Sequence, residues 1–204
     1  MVFVLLFCCI ILFNPVICVR QQPPASAPTI ASAPVPTPIP QPSTAASNPR
    51  IRTLCAKTFY PRLCIRSIEP FFNGKTDPQS VAVMLIKAMS ERSKRAIKTA
   101  TKMAADPLYS DDPMLVSEFN GCRQQYDDAL VALKEAMDAV LVREIETVET
   151  KVSQAQDDYE ICDNGFTRHP DNTITDGVSP MAKINEKLTN IGDVITDIIP
   201  KILT

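Results

Sequence analysis

The chain is poor in the residues from which sheets and catalytic centres are built. It has only five glycines and no alternating apolar–polar run, which excludes a sheet architecture and leaves an all-α fold as the expectation. Histidine occurs once, as His169 in the polar stretch "TRHPDNTITDG", where an exposed side chain is expected rather than a general base. No Gly-x-Ser-x-Gly elbow and no phosphate-cradling glycine loop is present. The paired carboxylates Asp127 with Asp128 and Asp157 with Asp158 are sequence neighbours, so on a helix they point about 100° apart and do not converge. Catalysis by this chain, and with it any cofactor, is therefore not expected. A strong charge of one sign is missing as well, the formal net charge being −2.

Long apolar runs are confined to residues 2–13, an unbroken stretch of twelve. That is short of the roughly 20 a membrane helix requires. With Asn14, Pro15 and the small or apolar positions Val16 and Cys18 after it, the run reads as a secretory signal at residues 1–18, an uncleaved anchor being the other reading. Nothing else in the chain is apolar enough to span a bilayer. Residues 21–49 contain nine prolines among Ala, Ser and Thr. So little bulky apolar material cannot repay the entropy of ordering, and residues 19–50 are read as an extended spacer. Its Ala-Pro and Thr-Pro repeats are of a kind that accepts O-linked sugar.

Removing the signal leaves Cys55, Cys64, Cys122 and Cys162. Their spacings of nine, fifty-eight and forty residues hold no short ligand pair, so no metal site is expected. An even count in a secreted chain reads as two disulfides, for which four cysteines allow three pairings.

What the sequence has in quantity is helical rhythm. Leu115, Phe119, Cys122, Tyr126, Ala129, Leu133, Ala136 and Val140 alternate steps of four and three, and so do Ile145, Val148, Val152, Ala155, Tyr159, Cys162 and Phe166. Between them the phase breaks without Gly or Pro. A continuous helix would hold Cys122 and Cys162 roughly 60 Å apart, whereas a disulfide needs α-carbons within about 7 Å. A turn near Val142 brings the two level and predicts an antiparallel hairpin pinned by that pair. Two further stripes flank it: Ala82, Ile86, Met89, Ser93, Ala96, Ala100 and Met103, then Met181, Ile184, Leu188, Ile191, Ile195, Ile198 and Ile202.

Helix starts are marked by Asp77 with Pro78, Asp112 with Pro113 and Ser179 with Pro180, each a side-chain cap before a residue whose missing N–H costs nothing there. Asp106 with Pro107 ends the first long helix, and the third is expected to end near Asn164 and Gly165. Gly192 and Pro200 are expected to soften the last, Pro200 by fraying its end. Upstream, Pro61 folds "IRTLCAKTFYPRLCIRSIEP" into two short pieces. The expectation is thus an antiparallel up-down four-helix bundle of left-handed packing over residues 51–204, preceded by a helical hairpin.

Three segments carry a resemblance: Cys55-x-x-Thr58-x-Tyr60-Pro61-x-x-Cys64, Cys122-x-x-x-Tyr126-x-Asp128-Ala129-x-x-x-Leu133, and Val152-Ser153-x-Ala155 followed by Cys162-Asp163-x-x-Phe166. In this order they resemble the signature segments of the plant invertase and pectin methylesterase inhibitor family. The resemblance implies disulfides from Cys55 to Cys64 and from Cys122 to Cys162. It also implies secretion to the cell wall or apoplast, and one-to-one inhibition of pectin methylesterase or acid invertase by covering the enzyme's substrate cleft. Invertase inhibitors of the family often carry Pro-Lys-Phe ahead of the third segment. Here the stretch reads "EIETVETKVSQ", which leans toward the esterase. Gln154 and Gln156 stand where the family usually has small or apolar residues, a sign of altered packing or a changed partner face. Because the chain stops at Thr204, it is expected not to be the pro-region of a larger esterase.

Charge is distributed unevenly. Residues 78–105 hold six basic and one acidic side chain, with Lys94, Lys98 and Lys102 in register, whereas residues 112–163 hold thirteen acidic and four basic. Asp127, Asp128, Glu135, Asp138, Glu146 and Asp157 are the expected outward carboxylates and the candidate partner face, steering the domain onto a basic enzyme. Nucleic acid is not an expected partner, since secretion removes it and no aromatics are interleaved with the basic helix. The reading of another class is a non-inhibitory structural or signalling wall protein whose Pro-rich arm is glycosylated.

Overall fold

The computed structural model describes residues 44–167 and 178–203, all within the compact unit Gln41–Thr204. The signal at 1–18, most of the spacer, and His169 lie outside the described residues. Among those described, every regular element is helical.

Two short helices, α1 (Pro49–Cys55) and α2 (Pro61–Ile68), form the N-terminal hairpin. Asn48 caps α1, its side chain accepting from the Arg50 and Ile51 N–H groups, and a proline opens each helix. Cys55 and Cys64 are disulfide-bonded with α-carbons 5.6 Å apart. The spacer boundary expected at residue 50 is moved back. Thr44 to Ser47 form a turn, Ala45 is fully buried, and the Ala46 N–H donates to the Glu69 carboxylate. Small residues suit a spacer, yet Ala45 is also small enough to fill a gap under the hairpin.

Four long helices follow: α3 (Pro78–Ala104), α4 (Pro113–Val142), α5 (Ile145–Thr167) and α6 (Ala182–Ile198). Asp77 and Asp112 cap α3 and α4 as their sequences specify. The third signal works differently. The Ser179 hydroxyl accepts from the Met181 N–H, but the chain completes a turn before α6 begins at Ala182. The third helix also does not stop at Asn164 and Gly165; it continues to Thr167. Gly165 is buried there, and a Cβ on it would collide with the Glu118 carboxylate of α4. Its glycine serves close approach rather than termination.

Between α4 and α5 only Arg143 and Glu144 intervene. Arg143 takes the left-handed conformation, φ 63° and ψ 30°, and its N–H bonds back to the Ala139 and Val140 carbonyls, closing α4. Antiparallel succession is fixed by cross-links. Gln79 at the start of α3 donates to the Val140 carbonyl at the end of α4. Cys122 and Cys162 are bonded across α4 and α5, with α-carbons 4.6 Å apart. Gln156 and Asp163 of α5 meet Asp193 and Asn185 of α6 respectively.

The apolar stripes make the core. All eight α4 positions are buried, as are six of the seven on α5, Ile145 being the half-buried exception. Across the middle runs a polar layer with one residue from each helix: Ser93, Tyr126, Tyr159 and Asn185. The Ser93 hydroxyl donates to the Met89 carbonyl, which leaves Tyr159 to donate to Ser93 at 2.7 Å. Tyr126 donates to Asn185 Oδ1 at 2.6 Å, and Asn185 Nδ2 donates to the Tyr159 carbonyl and the Asp163 carboxylate. Each diagonal of the bundle is therefore spanned by one hydrogen bond, inside a core where an unpaired polar atom would cost about 1–3 kcal/mol. Burial pushes both tyrosine hydroxyls well above the ordinary phenol value, so they act as donors at any physiological pH.

Candidate docking surface

Residues outside the four core stripes decide what the bundle presents. On α4 the positions between stripe members are Asp127, Asp128, Glu135 and Asp138, and on α5 they include Glu146 and Asp157; all six are exposed. The structure places the α4 and α5 carboxylates on neighbouring helices held in register by the disulfide. Their surroundings differ. Glu135 pairs with Lys151 across the two helices at 2.6 Å, and Asp138 with Lys134 along α4 at 3.2 Å. Asp128 accepts from Gln124 at 3.1 Å. Asp127, Glu146 and Asp157 have no cation within ion-pair distance among the described residues.

Among the described residues the most perturbed carboxylate is one outside the expected partner face. Asp158 is 8 % exposed and its Oδ2 has no hydrogen-bond partner among the described residues. Burial, followed by the charges of Asp128 and Asp157, pushes its carboxyl up to about 6. The neighbours behave as a helix requires: Asp157 turns to solvent while Asp158, about 100° round, turns inward. Only the helix phase distinguishes these two adjacent aspartates, and that signal was present in the stripe.

Negative charge continues past α5. The groove between α5 and α6, about 480 Å³, is lined by Asp157, Glu160, Asp163 and Glu186 against the single cation Lys183. Burial raises the Asp163 carboxyl, and hydrogen bonds from Ser179 and Asn185 counter part of the rise. Glu160, Asp163 and Glu186 were not among the expected face residues, because the α5–α6 neighbour relation is not readable from either helix alone.

Gln154 and Gln156, the two unusual amides, have separate fates. Gln154 is exposed and accepts from Lys151 at 3.2 Å. Gln156 is half-buried and donates through Nε2 to the Thr189 carbonyl at 3.0 Å and to Asp193 at 2.8 Å. It occupies the space where Gly192 has no side chain: a Cβ there would lie 2.6 Å from Gln156 Cδ. Gly192 is thus a packing position on α6 and leaves the helix regular through Ile198.

This surface can attract and orient a basic partner. Among the described residues no group of three His, Cys, Asp or Glu side chains is arranged to hold a metal ion, and no helix is long and apolar enough to cross a membrane.

Residues 49–198 match the family model described as plant invertase/pectin methylesterase inhibitor. A pectinesterase inhibitor of Actinidia deliciosa is 26% identical over 170 residues, covering 78% of this chain and 84% of that protein. Pectinesterase inhibitor 1 of Arabidopsis thaliana is 23% identical over 159 residues, 78% of this chain and 87% of its own. A crystal structure of a mutant form of a pectin methylesterase inhibitor from Arabidopsis superposes with a TM-score of 0.57 at 20% identity, covering 78% of this chain and 97% of that one. At that identity the likeness speaks to the fold.

Proposed function

The chain belongs to the plant invertase/pectin methylesterase inhibitor family, and from that premise we propose that it is a secreted protein inhibitor that covers the substrate cleft of a wall enzyme in a one-to-one complex. Pectin methylesterase stands ahead of acid invertase as the target. Two curated relatives are named as pectinesterase inhibitors, and the stretch "EIETVETKVSQ" lacks the Pro-Lys-Phe tripeptide. The chain acts by binding and not as an enzyme, and its place of action is the apoplast or cell wall.

The observation that carries the reading is a rigid acidic surface. Asp127, Asp128, Glu135, Asp138, Glu146 and Asp157 are exposed on α4 and α5, and the Cys122–Cys162 bond holds those helices together. A plug that obstructs a cleft binds best when it is already ordered, since little side-chain and backbone freedom is then lost on docking. Exposed carboxylates of one sign accelerate encounter with a basic enzyme without needing strong individual contacts.

The test is a side-by-side titration of pectin methylesterase and acid invertase with the purified protein, with the complexes resolved by size-exclusion chromatography. A one-to-one complex and loss of esterase activity are expected. Inhibition of neither enzyme would overturn the proposal and leave the non-inhibitory wall protein as the reading. Repeating the kinetics from low to high salt addresses the acidic face: the association rate should fall as screening shortens the range of its field, and a flat profile would refute steering.

A further inference from the structure

The opposite charge is concentrated in the N-terminal hairpin. Arg50, Arg52, Lys57, Arg62 and Arg66 are all exposed, and none is in an ion pair among the described residues. The one carboxylate in residues 49–71 is Glu69, and it is occupied by the Ala46 N–H. Two of the cations border a groove between α1 and the start of α3, about 320 Å³, lined by Pro49, Arg50, Thr53, Leu54, Lys57 and Pro78. Arg50, Thr53 and Lys57 fall three and four residues apart, on one face of α1 and its first turn beyond.

We propose that this groove binds an acidic polysaccharide, a chain of linked uronic acids. Its walls are apolar where Pro49, Leu54 and Pro78 line it, which suits the flat C–H faces of sugar rings, and two threonines, Thr53 and Thr76, and two cations stand at the same groove for ring hydroxyls and carboxylates. Arginine offers its fork to a carboxylate in two parallel hydrogen bonds. Phe59, two residues beyond Lys57 and 83 % exposed, adds an aromatic ring at the hairpin tip. Its backbone N–H donates to Asp197 of α6 at 3.0 Å, and the Cys55–Cys64 bond closes the loop behind it. The tip is therefore a fixed platform.

The choice of polyanion rests on the proposed function: hydrolysing the methyl esters of pectin produces a polymer of free uronic carboxylates beside the enzyme. Binding that polymer through the hairpin leaves the acidic α4–α5 face turned to the enzyme, so substrate polymer and target are held by surfaces of opposite sign.

The experiment is a binding titration of the full-length chain with a polyuronate oligomer, its fully methyl-esterified form, and a single-stranded oligodeoxynucleotide of matched charge. Salt-sensitive binding to the free acid and loss of binding to the ester are expected. Arg50→Gln with Lys57→Gln should weaken it about five- to tenfold, Phe59→Ala should weaken it further, and Lys98→Gln with Lys102→Gln on α3 should leave it unchanged. No binding, equal binding to the oligodeoxynucleotide, or equal weakening by the α3 pair would each overturn the proposal. Esterase inhibition by the same variants separates the two readings. A wild type that inhibits but does not bind polyuronate sinks only the groove, whereas one that binds polyuronate but inhibits neither enzyme sinks only the inhibitor reading.

Discussion

Replacing Gly192 by alanine reads the α5–α6 packing directly, because two opposing effects must be weighed. In an isolated helix the change would stabilise by about 0.8–1 kcal/mol. Here the new Cβ would lie 2.6 Å from Gln156 Cδ and 2.7 Å from its Nε2, so the amide must leave. Leaving breaks its bonds to the Thr189 carbonyl and the Asp193 carboxylate. A neutral hydrogen bond contributes about 1 kcal/mol net and one to a charged group about 1.5–3, with half-burial favouring the lower end. The loss is then about 2–3 kcal/mol, and Gly192→Ala should destabilise by about 1–2 kcal/mol. In a Gln156→Ala background the obstruction is gone, and the same substitution should stabilise by about 0.5–1 kcal/mol. Urea denaturation followed by circular dichroism, with unchanged slope, measures all four corners of the cycle. A stabilising effect in both backgrounds would refute the argument, since Gln156 and Gly192 would then not share space.

Other consequences follow from the same contacts. Replacing Cys122 and Cys162 by alanine opens a loop of about 41 residues, for which the chain-entropy model gives about 4 kcal/mol of lost stability; a much smaller drop in urea midpoint would contradict it. Asp158 has a folded-state carboxyl raised from 3.8 to about 6. Its charge therefore costs nothing below pH 4, costs progressively more as pH rises from about 4 to 6, and remains a full penalty above that. Asp158→Asn should accordingly stabilise the fold by about 1–3 kcal/mol at pH 7 and flatten the melting temperature between pH 4 and 6; an unaltered profile would show that the side chain is solvated. Tyr126→Phe strands Asn185 Oδ1 in the core and should cost about 1–3 kcal/mol, to be compared with Tyr126→Phe in an Asn185→Leu background, where the penalty should shrink. Arg143→Gly relieves a left-handed residue and should stabilise by about 1 kcal/mol in thermal melts, despite the added freedom of the unfolded chain.

Much of the scaffold could be read before folding because its determinants are local. The hairpin of α4 and α5 follows from a phase break and two cysteines, and the α3 and α4 starts follow from Asp-Pro pairs whose chemistry is complete within four residues. The misreadings concern residues whose role depends on another helix. Ile184 packs half-buried against the core as its stripe position predicts, but a binary pattern sends its neighbour Asn185 outward. The interior has the amide, because Tyr126 opposite supplies a donor for it and Asp163 an acceptor. Gly165 and Gly192 look like helix breakers by propensity, yet each makes room for a side chain on a neighbour, Glu118 and Gln156. The exposed carboxylates of α4 and α5 are legible from helix phase, but the limits of the acidic surface are not. Its extension through Glu160, Asp163 and Glu186 appears only when α6 is set beside α5.

The placement of the two bridges has a consequence for assembly. Each closes within one contiguous stretch, spanning nine and forty residues. Under oxidising conditions the second bond therefore needs no residue beyond 162 and can form before α6 has folded. Contacts within one contiguous stretch cost less loop entropy than those that span the chain, so the final helix arrives at a three-walled trough in which α5 is already tied to α4. Its Asn185 completes the wiring of the interior, and closure of the domain becomes the docking of a single amphipathic segment.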